Sequence, residues 1–108
     1  MKFSPKILNV ALDLSMEFGE NWLRSIEERL SKFYPELSFE ELAQCDKICK
    51  EVNRTGNKFV YDNPVRDGDE VSFVAFSLFE KSMLLRYDWI TDKNLKKLYS
   101  QSCYYAMK

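Results

Sequence analysis

Three glycines in 108 residues leave this chain very few places to break a helix. Gly19, Gly56 and Gly68 each sit where a helix would stop or start, as expected of the residue that takes positive φ most cheaply. Three prolines add little further punctuation. Between these breaks, apolar residues recur at steps of three and four. That is the period of a helix with one face in a core.

Start signals divide the pattern into segments. Ser4 followed by Pro5 reads as an N-cap and first helical position. Ile7, Ala11, Leu14 and Phe18 form the stripe of that helix, widened by Leu8 and Leu12. A second helix is expected from about Glu20 to Phe33, ending before Pro35, with Trp22, Leu23, Ile26 and Leu30 inward. Ser38-Phe39-Glu40-Glu41 has the spacing of a capping box, in which the serine bonds forward and the glutamate bonds back. Phe39, Leu42, Cys45, Cys49 and Val52 follow as its inward stripe. This third helix is expected to fade near Arg54, with Gly56 beyond it.

Residues 55–67 read as loop, because Asn, Gly, Asp and Pro gather there. Asp67-Gly68-Asp69-Glu70 resembles a second capping start, and a fourth helix is expected over about 69–88. Val71, Val74, Ala75, Leu78 and Leu85 make its stripe, with Phe73, Phe76, Phe79 and Met83 on much of the remainder. A helix apolar nearly all round belongs at the centre of a bundle. The alternative is a hairpin pairing 59–61 with 71–76. Thr91 caps the last helix, with Asp92 in its first turn and Leu95, Leu98, Tyr99, Ser102 and Ala106 inward. The expected fold is therefore all-α: a compact single domain, residues 1–108, of about five helices around a central apolar segment at 69–88.

Composition narrows the function. Net charge is −1 with a pI near 5.5, which speaks against general nucleic-acid binding. No apolar run approaches the roughly 20 residues that span a bilayer, and no export signal is read at the N-terminus. Three cysteines without such a signal fit reduced thiols in a cytoplasm. There is no histidine, so the commonest general base and metal ligand are both missing.

Chemistry-bearing constellations are correspondingly weak. Cys45 and Cys49 lie four apart on one helix face, but a zinc site needs four ligands, and buried free cysteine packs as a small hydrophobe. Asp62, Asp67, Asp69 and Glu70 form a candidate loop site for a cation, yet aligning Gly68 with the glycine of a calcium loop puts valine at two ligand positions. No serine has a histidine base, and no glycine-rich phosphate loop occurs. No cofactor and no metal are expected, and the chain is read as a non-enzyme.

Charge and aromatic content point elsewhere. Residues 36–70 carry five basic and nine acidic side chains, whereas residues 71–108 carry six and three. Lys93 and Lys97 lie on the last helix with Tyr99, Tyr104 and Tyr105, and tyrosine is enriched at interfaces. These five residues are the candidate interface. The expected function is a small cytoplasmic protein–protein interaction module without catalytic activity, self-associating as a homo-oligomer or serving another protein. The alternative is a small-molecule-binding bundle with an aromatic-lined pocket entered through the 55–67 segment.

Overall fold

A computed structural model describes residues 3–17, 25–68 and 70–107. The protein is all-α, with five helices among the described residues: α1 (Pro5–Ser15), α2 (Glu27–Phe33), α3 (Phe39–Asp62), α4 (Phe76–Arg86) and α5 (Asp92–Ala106). A small antiparallel ribbon, β1 (Val65–Asp67) with β2 (Glu70–Ser72), separates α3 from α4. The chain divides into two compact units, Met1–Glu51 and Val52–Lys108, with the boundary inside α3.

In the first unit the caps form as their sequences dictate. The Ser4 hydroxyl accepts from the Ile7 amide at 3.3 Å, with Pro5 opening the helix. Leu8, Ala11, Leu12 and Leu14 are buried. The Ser38 capping box closes in both directions: its hydroxyl accepts from the Glu41 amide at 3.1 Å, and its own amide donates to the Glu41 carboxylate at 3.0 Å. Leu42, Cys45, Cys49 and Val52 are buried as their spacing requires, but Phe39 is 91% exposed. It is the first residue of its helix, so only one turn of wall exists to cover it. The start expected for the second helix, with Trp22 and Leu23, lies outside the described residues, as does Phe18.

Two charged residues knit this unit. Arg29 donates to the Leu14 carbonyl at 2.9 Å, satisfying an acceptor at the end of α1, and pairs with Glu17 at 3.1 Å. Asp46, 7% exposed, accepts from the Ile26 amide at 3.2 Å and pairs with Lys50 at 2.8 Å. Ile26 has no side-chain oxygen to cap α2; the Asp46 carboxylate of α3 accepts from the Ile26 amide, and the Ser25 hydroxyl accepts from the Glu27 amide at 3.4 Å.

The second unit departs from the sequence expectation in three places. First, α3 does not fade at Arg54 but continues to Asp62, so 59–61 are helical and pair with no strand. Gly56 is not a terminator. A β-carbon there would lie 3.1 Å from Leu98 Cδ2 and 3.2 Å from its Cγ. Glycine is present because α5 approaches the backbone of α3, and the cost of glycine inside a helix is about 1 kcal/mol. Second, residues 70–72 are β-strand, and α4 begins only at Phe76. Gly68 stands at φ +63° in the two-residue connection between Asp67 and Glu70. Left-handed glycine is what tight hairpins need, and it pre-empts a helix start at 69. Third, the buried face of α4 is Phe79 and Met83, while Leu78 and Leu85 are 57% and 81% exposed. The shorter helix presents a different face from the stripe expected over 69–88.

Three helices interlock around these aromatics. Phe79 lies 6.1 Å from Phe59 of α3 and 5.3 Å from Tyr99 of α5. Phe76 meets Tyr99 edge-on at 5.4 Å. The Ser102 hydroxyl donates to the Asn57 side-chain oxygen at 2.9 Å. Thr91 caps α5 as expected, its hydroxyl accepting from the Asn94 amide at 3.3 Å. Among the described residues no buried side-chain polar atom lacks a hydrogen bond.

The α3–α5 approach makes a direct prediction. Gly56→Val should destabilise the protein by about 1–3 kcal/mol through overpacking, even though valine is the better helix former. Combined with Leu98→Ala, which alone should cost about 2–5 kcal/mol, the loss should fall short of the sum. Urea unfolding of the two single variants and the double variant measures this. Strict additivity would refute the steric account of Gly56.

Candidate functional site

The candidate interface residues divide between structural and exposed roles. Tyr99 is half-buried, and its hydroxyl donates to the Val74 carbonyl at 2.7 Å. Tyr104 is 46% exposed and stands 6.1 Å from Tyr105 in an edge-on pair, with Tyr105 half-buried. Lys93 is exposed and Lys97 half-buried. Between them in sequence, Lys96 pairs with Asp92 at 2.9 Å, one turn back along α5. The basic start of α5 is thus offset from within its own first turn.

The candidate loop site is spread out. Asp62 ends α3 and holds Lys58 at 2.6 Å across one helical turn. Asp67 and Glu70 face each other in register across the ribbon. Asp69 lies outside the described residues. Among the described residues no group of three or more carboxylates or thiols has the arrangement to hold a metal ion.

Cys45 and Cys49 are fully buried free thiols, and Cys103 is a half-buried one. Burial, aided by the Glu41 charge, pushes the Cys45 thiol from 9.0 to about 11. Burial raises Cys49 further, reinforced by Cys45 and Asp46 and opposed by a hydrogen bond with Ser15. Burial also raises Cys103, opposed by its hydrogen bond with Tyr99. Thiolates are the nucleophiles and metal ligands of cysteine chemistry, so these environments suppress it.

A cleft that the sequence did not reveal lies in the second unit. It encloses about 280 Å³ and is lined by Arg54, Thr55, Lys58, Phe59, Asp62 and Asn63 of α3 and its end, with Ser82 and Arg86 of α4. Arg54, Lys58 and Asp62 fall at steps of four, which places them on one face of a helix. The spacing was present in the sequence, but reading Gly56 as a stop hid it. The Thr55 and Tyr87 hydroxyls meet at 3.2 Å beside the cleft. Arg86 lies 5.7 Å from the centre of the Tyr87 ring. Seven of its eight lining residues carry a polar or charged group, and Phe59 is the one aromatic among them. It differs in this from the aromatic-lined pocket expected of a ligand-binding bundle.

No protein-family model matches the chain, and no curated protein or solved structure proves similar to it. No described helix is long and apolar enough to cross a membrane.

The buried thiols give a pH dependence. Their folded pKa values lie above the unfolded ones, so the unfolded chain releases its protons first as pH rises. Unfolding then becomes easier, with the stability present below about pH 9 and declining toward pH 11. Chemical denaturation across that range should show the decline, and Cys45→Ala with Cys49→Ala should flatten it. Alkylation of the native protein should label Cys103 well before either buried thiol.

Proposed function

We propose that this protein is a non-catalytic protein–protein interaction module that associates with a second copy of itself. The observation that carries the reading is the outer face of α4. Leu78 and Leu85 lie two turns apart on one side of that helix, at 57% and 81% exposure, with exposed Lys81 between them. Two leucines seven apart repeat one position of the apolar seam by which helices pair. A second copy supplies a matching seam by symmetry, because a two-fold contact sets the same patch against itself. Phe39 at 91% exposure and Tyr104 at 46% give each unit further uncovered aromatic surface. The reducing compartment implied by this reading is a cytoplasm, in keeping with the two buried free thiols of the first unit.

A second reading, small-molecule binding, is favoured only by the polar cleft between α3 and α4.

Light scattering behind a sizing column tests self-association. The mass should rise with concentration toward twice the 12.8 kDa of the chain. Leu78→Glu with Leu85→Glu should hold it at 12.8 kDa with helicity unchanged. Tyr104→Ser with Tyr105→Ser should weaken association less. A mass of 12.8 kDa at every concentration would overturn the self-associating reading.

A further inference from the structure

We infer that the cleft between α3 and α4 is a binding site for a small phosphomonoester carrying a flat apolar body. The argument starts from how the two helices run. Phe59 meets Phe79 near the start of α4, and Thr55 meets Tyr87 just past its end. Sequence position falls along one helix as it rises along the other, so the helices are antiparallel here. Arg54 and Arg86 each immediately precede one member of the Thr55–Tyr87 pair, and both line the cleft. Both arginines therefore line the same end of it, one from each wall.

Like charges gathered this way repel. Among the described residues neither arginine forms an ion pair. The cleft's single carboxylate, Asp62, lies two turns further along α3 and is already bonded to Lys58. The C-terminal end of α4 favours a cation at Arg86, but Arg54 is mid-helix and has no such help. Among the described residues that line it, the end of the cleft that holds the arginines thus carries two positive charges and no negative one.

An oxyanion between the two forks removes the repulsion and accepts from both. A phosphomonoester fits better than a carboxylate, because its charge of about −1.5 to −2 matches two guanidinium groups and it offers three acceptor oxygens. Thr55 and Ser82 place hydroxyl donors on the same walls, and Phe59 gives an apolar surface for the body of the ligand. A volume of about 280 Å³ admits a molecule of roughly one ring and one phosphate.

Titration calorimetry with phenyl phosphate, inorganic phosphate and benzoate tests the site on the whole chain. Phenyl phosphate should bind about tenfold more tightly than benzoate, and Arg54→Gln or Arg86→Gln should each weaken it by about tenfold. Lys58→Gln should matter far less, since that ammonium already serves Asp62. Both arginines are exposed, so circular dichroism should show the variants folded. Absence of phenyl phosphate binding at about 10 mM would overturn the assignment. So would equal binding by wild type and both arginine variants, which would mean an anion held elsewhere. Equal affinity for phenyl phosphate and inorganic phosphate would remove Phe59 from the site. The Leu78→Glu, Leu85→Glu variant should bind phenyl phosphate normally, which separates this site from the self-association face.

Discussion

The second unit depends on one close approach, that of Leu98 to the backbone of Gly56. A side chain on α3 at that position would require the Leu98 side chain to give by a few tenths of an ångström. With glycine there, three helices settle around Phe79, and Tyr99 reaches Phe76, Phe79 and the Val74 carbonyl at once. The same glycine lets α3 run on to Asp62, at a propensity cost that packing offsets. The continuous helix then sets Arg54, Lys58 and Asp62 in a row, and the cleft follows from that row. One missing side chain thus links the packing of the unit to its polar surface.

The first unit is organised by polar contacts across its helices. Arg29 spans to the end of α1, and Asp46 spans from α3 to the start of α2. Such bonds do not create the hydrophobic driving force, which belongs to Leu8, Leu12, Ile26, Leu30 and Leu42. The Asp46 carboxylate gives the Ile26 amide an acceptor, and Arg29 adds a side-chain donor to a Leu14 carbonyl that also accepts from the Glu17 amide.

Much of the fold was legible because caps are local chemistry. Ser4, Ser38 with Glu41, and Thr91 each act within three residues of themselves, and all three behave as written in the sequence. Gly56 was misread because its purpose lies 42 positions away at Leu98, where no local rule reaches. Gly68 was misread for the opposite reason. Its two-residue hairpin signal is local, but the acidic neighbours also satisfy a capping template, and two rules competed for one segment. The buried face of α4 was misread separately: with hydrophobic residues on every side, spacing alone does not say whether Leu78 with Leu85 or Phe79 with Met83 turns inward. The cleft was hidden by the reading of Gly56 as a stop, which assigned its α3 wall to a loop. The candidate interface and loop residues were chosen by composition, which carries no information about direction.

The borrowed cap on α2 bears on the order in which this protein can form. Seven residues are too few to hold a helix in water, where the cost of nucleation is repaid only over about 12–15. The Ile26 amide at its entrance finds its acceptor on Asp46, twenty positions ahead in the chain. Segment 27–33 therefore gains its Asp46 acceptor only once α3 has docked against it. Although it emerges earlier from the ribosome, that support comes from a residue synthesised after it.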